Sequence, residues 1–363
     1  MTKQLIVSAF ALFAGISSFA QYISFNKKEI ADLKSAIKSN AEIKKYYASF
    51  QKTADAALNE SPNPIDTIRT EGLLQGDPKK TATRKALEDM PKIYALSLVY
   101  RIGGDKKYLV RATEYLKAWA TKTIPNGDPI DDTNLDGAIE GYDLIKQDIK
   151  GSDATLIKEW WRKIGNLEIT AKYNNPDRMT SKNNWNAHRL KIIGEIAWSI
   201  NDEHLQKYTI EGFKKHLAVN LLLDGSSIDF EERDALHYHV YDLEPLLKLC
   251  IVLKRATNTD YYSFTSPIGT SVEKSVTWLL PYVVGEKTHG EYTNSKVEFD
   301  RKRAANGEGG FKIGAPFDPK HGANVLLLAA YFRPPFVDTA RRVLGTEDVY
   351  PSWQSVSNEI MKK

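Results

Sequence analysis

The feature that most constrains this chain is a helical period that returns again and again. From residue 84 to 102 apolar side chains recur three and four residues apart, and Gly103-Gly104 then ends the pattern. Asp105 stands where a helix cap belongs, ahead of a second apolar set, Tyr108, Leu109, Ala112, Tyr115, Leu116 and Trp119. The same spacing predicts helices over 27–57, 134–149, 153–172, 183–200, 203–221, 234–256, 270–284 and 321–331. Breakers separate them: Ser61-Pro-Asn-Pro64, Pro125-Asn-Gly-Asp-Pro129, Asn174-Asn-Pro176 and Asp224-Gly225. Alternating period-two runs are scarce, and no strand–helix alternation suggests a parallel sheet. Helical hairpins on short loops, too many for a simple bundle and without a strict repeat, point to an all-α toroid, an incomplete α/α barrel. The stretch 285–314 differs, being polar and Gly-rich, and reads as a long loop over the barrel mouth with a short β-hairpin within Tyr292 to Phe299. No flexible linker divides the chain, so one domain is expected over 21–363.

Residues 1–20 read as a secretory signal. Lys3 supplies the basic start, Leu5 to Ala14 an apolar core, and Ser18-Phe19-Ala20 the small residues before a cut at Gln21. The core falls short of the roughly 18 apolar residues a span requires, and no later run reaches that length. No cysteine follows the cut, which argues against a lipid anchor. For a bacterial chain this places the mature protein in the periplasm or outside the cell. Cys250 is the single cysteine, so no internal disulfide forms, and its apolar setting between Leu249 and Ile251 marks a buried structural thiol. The net charge of +4 is spread along the chain. It suits an anionic ligand and lacks the concentrated patch that nucleic acid demands.

Two segments concentrate chemistry: 180–189, with Asn183, Asn184, His188 and Arg189, and 233–241, with Arg233, His237, Tyr238, His239 and Tyr241. On helices, Asn184 and His188 are i,i+4 neighbours, as are His237 and Tyr241, while Tyr238 and Tyr241 are i,i+3. His237 and His239 diverge by about 200° on a helix, so they do not chelate one metal. Asp128, Asp131 and Asp132 lack calcium-loop spacing and read as a polar turn. Asp229, Glu231, Glu232 and Asp234 would serve a hydrolase, although a solvated loop is their default reading. Trp160, Trp161 and Trp185 are either sugar-stacking faces or core.

Several stretches, in order, resemble the alginate-lyase-type polysaccharide lyases. Residues 99–119 are similar to their early helical hairpin, and 134–145, with Tyr142-Asp143, to the next helix. Asn183-Asn184 resembles the first part of their Asn-Asn-His signature, and Asp224-Gly-Ser226 with Arg233 and Tyr238-His239 their Arg/Tyr stretch. In family 5 of these lyases a histidine directly follows the second asparagine, whereas here Trp185 does and the nearest histidine is His188. Arg233 also stands closer to Tyr238 than in that family. With residues 287–300, these departures look more like family 38, which acts on glucuronan or alginate.

The resemblance implies β-elimination on a 1,4-linked polyuronate, leaving a 4,5-unsaturated end. Such a reaction neutralises the uronate carboxylate, removes the C5 proton and protonates O4. Asn184, His188 and Arg233 are expected to neutralise the carboxylate. Tyr238 is expected to transfer protons, with adjacent cations lowering its pKa; the sequence offers both it and His188 as the base. Lys182, Arg189, His239, Tyr241, His289 and Tyr292 are expected to contact substrate. The mechanism requires no cofactor or metal, and the expected partner is an acidic polysaccharide. The rival readings are a helical-toroid hydrolase with paired acids and a non-catalytic binder of acidic glycans.

Overall fold

The computed structural model describes residues 21–362, so the signal reading for 1–20 lies outside the described residues. The chain folds into α1 (Lys27–Ser39), α2 (Ala41–Ala57), α3 (Pro78–Leu87), α4 (Asp89–Gly103), α5 (Lys106–Lys122), α6 (Pro129–Asp132), α7 (Asp136–Ile145), α8 (Gly151–Thr170) and α9 (Asn184–Ser199). It continues through α10 (Glu203–Asn220), α11 (Ile228–Arg233), α12 (Leu236–Thr257), α13 (Val272–Val283), α14 (Glu298–Ala305), α15 (Ala323–Ala329), α16 (Phe336–Leu344) and α17 (Trp353–Lys362). Boundary residues explain most of these limits. Asn40 splits the single helix expected over 27–57, because its side chain accepts from the Glu42 and Ile43 amides and so caps α2. Gly104 ends α4 in the left-handed conformation, at φ 80°.

The helices form two layers. The inner ring runs α4, α7, α9, α12, α15, each packed on the next, while α2, α5, α8, α10, α13 and α16 pack outside it. Inner position follows from composition: every residue of α9 from Asn186 to Ser199 is buried, whereas α5 buries only the stripe Tyr108, Ala112, Tyr115, Leu116 and Trp119. Each leucine or isoleucine so enclosed contributes about 1.5–3 kcal/mol. Gly194 and Gly212 sit where a Cβ would collide with Leu249 and Leu190, so glycine lets α9 pack closely on α12 and α10. Cys250 is buried, with its thiol pushed up by burial, as a structural thiol requires.

The expected hairpin does not form. Among the described residues there is no named strand, only the isolated bridges Leu221–Ser227 and Gly290–Pro316. Tyr292 adopts a left-handed φ of 62°, which breaks any extended run, and 298–305 winds into α14 instead. The segment 286–317 is a strap. Glu291 accepts from the Leu236 and His237 amides at the start of α12, at 2.8 and 3.0 Å, and the Tyr292 amide donates to the Asp234 carbonyl at 2.7 Å. At its far side, the Gln75 amide donates to Glu308 at 2.7 Å. The strap therefore ties the start of α12 to the 70–76 loop. No described helix is long and apolar enough to cross a membrane.

Candidate active site

The start of α9, the start of α12, α11, the strap and the 70–76 loop enclose a cavity of about 130 Å³. Glu71, Asn184, Trp185, Arg233, His237, Tyr238, Tyr241 and Arg303 line it, with Ile130 and Phe311. Four of the sequence candidates, Asn184, Arg233, Tyr238 and Tyr241, thus meet in one place.

Asn184 owes its orientation to Asp229. Its amide Nδ2 donates to Asp229 Oδ1, its backbone N–H donates to Oδ2 at 2.9 Å, and Asn220 Nδ2 donates to Oδ2 at 2.9 Å. The neighbouring Asn183 is the helix cap, accepting from the Trp185 amide. Asp229 is buried, not in a solvated loop as its sequence setting implied, and burial aided by nearby Asp242 pushes its carboxyl up to about 7. Because Asp229 and Glu291 already occupy the starts of α9 and α12, the positive potential left for a ligand comes from side chains rather than from helix ends.

Those side chains are Arg233 and Arg303. The Arg233 guanidinium lies 4.0 Å from the Tyr238 ring centre and pairs with Asp300. Arg303 Nη1 donates to Tyr238 Oη at 2.8 Å. The Tyr238 ring also meets Tyr241 and Tyr292 edge-on, with centroids 6.3 and 6.2 Å away. Burial raises the Tyr238 phenol above its ordinary value and outweighs the opposing pull of Arg233 and Arg303; Asp300 and Glu71 add to the rise. The lowered phenol pKa expected from sequence is therefore not the resting condition. Burial likewise raises Tyr241 and Tyr292.

His188 lies beneath the cavity wall, its ring 4.3 Å from that of Tyr241. Lys191 Nζ donates to Thr133 Oγ1 at 2.7 Å, and Thr133 Oγ1 stands 2.9 Å from His188 Nδ1. Thr133 Oγ1 thus links Lys191 Nζ to His188 Nδ1, and Nε2 is buried without a hydrogen-bond partner. Burial and then Lys191 push His188 down to about 3. A neutral imidazole carries no positive charge toward a carboxylate, and His188 does not line the cavity.

The other expected contacts separate. Arg189 is buried, its Nε 3.5 Å from Glu168 and its Nη1 donating to the Thr180 carbonyl and to Asn186. His239 is buried between Ser227 and the Ser275 carbonyl, at 2.9 and 3.4 Å, against Trp278. His289 is taken by Asp234, 3.2 Å from its carboxylate and 3.0 Å from its carbonyl. Tyr292 backs Tyr238 without lining the cavity, and Lys182 is exposed outside it. Asp128 caps α6 and Asp131 and Asp132 lie within it, so the polar turn expected there is a buried one; Asp131 accepts from the Thr70 and Glu71 amides at 2.6 and 3.1 Å and so sets Glu71 at the cavity. Arg303, Glu71 and Asp300 carry no local sequence signal, and Asp229, expected in a solvated loop, is instead the buried acceptor that orients Asn184. His237, expected beside Tyr238 and four residues before Tyr241, supplies an imidazole to the cavity wall, lowered to about 4 by burial and then by His321 and Arg303. No group of described His, Cys, Asp or Glu residues has a metal-holding arrangement.

Fold and cavity together define an α/α-toroid enzyme whose site is cationic, amide-bearing and phenolic. The chain belongs to the alginate lyase family, whose model matches residues 29–289, and is a polysaccharide lyase acting on alginate-type polyuronates. An alginate lyase from Bacteroides ovatus is similar in structure at 16% identity, covering 94% of this chain and 98% of that one, with a TM-score of 0.68. Alginate lyase A1-III from Sphingomonas species A1 is similar at 15% identity, covering 91% and 90%, with a TM-score of 0.59. A tyrosine-to-phenylalanine variant of A1-III complexed with a tetrasaccharide is similar at 15% identity over 73% and 78%, with a TM-score of 0.55. No curated protein matches the chain.

Proposed function

We propose that this lyase cleaves mannuronate-rich alginate or glucuronan by β-elimination, with Tyr238 as the proton-transfer residue. The observation that carries the reading is one phenol held between two guanidiniums in the cavity that contains the Asn184 amide. Asn184 and Arg233 take the uronate carboxylate by hydrogen bonds and charge, as donors do in an oxyanion hole. The Tyr238 phenolate removes H5; electrons pass into the carboxylate, then form the C4–C5 double bond as the C4–O4 bond breaks. The phenol returns the proton to O4. The phenolate is regenerated and no water is consumed.

In β-D-mannuronate and β-D-glucuronate H5 and O4 lie on one side of the ring, so one phenol serves both atoms. Guluronate sets them on opposite sides and requires a second group. His188, with Nε2 buried, does not supply it. The cavity lining contains a single carboxylate, Glu71, where hydrolysis by paired acids needs two. The proposal also includes export directed by residues 1–20, which N-terminal sequencing of protein recovered outside the cytoplasm checks.

The test is ultraviolet absorbance of the conjugated product with polymannuronate, glucuronan, polyguluronate and hyaluronan. Turnover is expected on the first two. Tyr238→Phe is expected to lose at least about 10³-fold in kcat while keeping the wild-type melting temperature. Full activity in that variant, or turnover on polyguluronate alone, rejects the reading.

A further inference from the structure

Arg303 belongs to α14, beyond the 29–289 stretch matched by the family, and nothing in its local sequence marks it as functional. Its side chain is nonetheless fixed with care. The guanidinium lies 4.4 Å from the Phe299 ring centre and 4.5 Å from that of Phe311, and Nη1 reaches Tyr238 Oη at 2.8 Å. Nη2 is 3.9 Å from Glu71, and Nε is buried without a partner. The strap holds α14 in place: Asn306 Nδ2 donates to the Gln75 carbonyl at 3.0 Å, and Ser295 Oγ donates to Asp300 at 2.7 Å.

We propose that Arg303 is the positioning residue for Tyr238, donating to the phenol oxygen so that the phenol's own hydrogen is free for the substrate. A guanidinium has no lone pair to offer, so Tyr238 Oη accepts in this bond. In the phenol form the hydroxyl hydrogen is therefore left for O4. In the phenolate form the same bond becomes charge-assisted and roughly twice as strong. Arg233 acts on the ring face and Arg303 on the oxygen, so the two cations are not interchangeable. This assignment rests on Tyr238 being the proton-transfer residue; it adds that a helix outside the matched region equips it.

Arg303→Met and Arg303→Lys test the assignment, with kcat, KM and the pH dependence of kcat/KM followed by product absorbance. Arg303→Met is expected to lose on the order of 10²-fold in kcat, with the rise of kcat/KM displaced to higher pH. Arg303→Lys, which keeps the charge without the planar fork, is expected to recover part of the loss and part of the displacement. Ultraviolet titration of tyrosinate, taken as wild type minus Tyr238→Phe and repeated in the Arg303 background, is expected to move the same way. A rise in KM with kcat and the pH profile unchanged would overturn the assignment, since the arginine would then only hold substrate. If Arg303→Met fails to fold, Arg303→Lys decides, and an unmoved profile in it counts against the assignment. Activity surviving in Tyr238→Phe rejects the underlying reading instead, so the two failures are distinguishable.

Discussion

The Arg233 guanidinium lies 4.0 Å from the centre of the Tyr238 ring, and Asp300 pairs with it. A planar cation over a phenol face stabilises phenolate over phenol. In the proposed mechanism its remaining donors take the substrate carboxylate. Lysine keeps the charge but neither the plane nor the fork. Arg233→Lys is therefore expected to lower kcat/KM by on the order of 10²–10³, read by product absorbance on polymannuronate. A loss below about threefold would remove Arg233 from the site.

The pH dependence follows from the direction of the Tyr238 shift. Burial holds its phenol above the ordinary tyrosine value despite Arg233 and Arg303. In the proposed mechanism the reactive form is the phenolate, whose population below the pKa grows tenfold per pH unit. In the free enzyme kcat/KM is expected to rise through neutral pH and to continue rising on the alkaline side. A plateau reached near pH 7, in protein shown to remain folded, would assign the base to a group other than Tyr238.

Asn184 and Asp229 form a second unit. Removing the amide takes away the donor proposed for the substrate carboxylate and leaves Asp229 with one partner fewer in a buried place. Asn184→Ala is expected to cost about 1–3 kcal/mol of stability, and on the order of 10² in kcat. Denaturant unfolding and initial rates read the two effects separately.

Asp229 also has a stability signature with a definite sign. Its folded pKa of about 7 lies above the ordinary carboxyl value, so the folded state holds a proton that the unfolded state releases at lower pH. The stabilisation is complete below the unfolded pKa near 4 and is lost as pH rises through 7. Asp229→Asn lacks this proton linkage. Its melting temperature is expected to fall less than that of wild type between pH 5 and 8, and an equal fall would contradict the shift.

The outer helices were legible because burial on one side imprints a period near 3.6 on the apolar residues, and the inner ones because wider burial adds apolar residues around that stripe between clear breakers. Helix α14 was not: Glu298-Phe-Asp-Arg-Lys-Arg-Ala-Ala305 has no apolar stripe, and its side chains find their partners across the barrel mouth. The same distinction divides the site. Asn184, Arg233, Tyr238 and Tyr241 lie on two local segments whose helical spacing brings them together. Arg189, His239 and His289 carried equal chemical promise, but Glu168, Ser227 and Asp234 engage them. Arg303 reaches Tyr238 from 65 residues away, and helical periodicity within one segment cannot report such a pairing.

The two histidines nearest the phenols separate the remaining roles. His188 was expected to neutralise or deprotonate, yet Thr133 and Lys191 hold its Nδ1 side and its Nε2 is enclosed. His237 lines the cavity, with its ring centroid 5.4 Å from that of Tyr238, and is held neutral well below the ordinary imidazole range. His188→Gln is expected to act through packing, with a lower melting temperature and the pH profile of kcat unchanged. His237→Gln is expected to leave the fold intact and to reduce kcat/KM, by about tenfold if the ring only orders the cavity and by 10² or more if it shares the proton transfer. Parallel melting curves and pH–rate profiles of the two variants decide it: a displaced profile in His188→Gln with His237→Gln indifferent would return catalysis to α9.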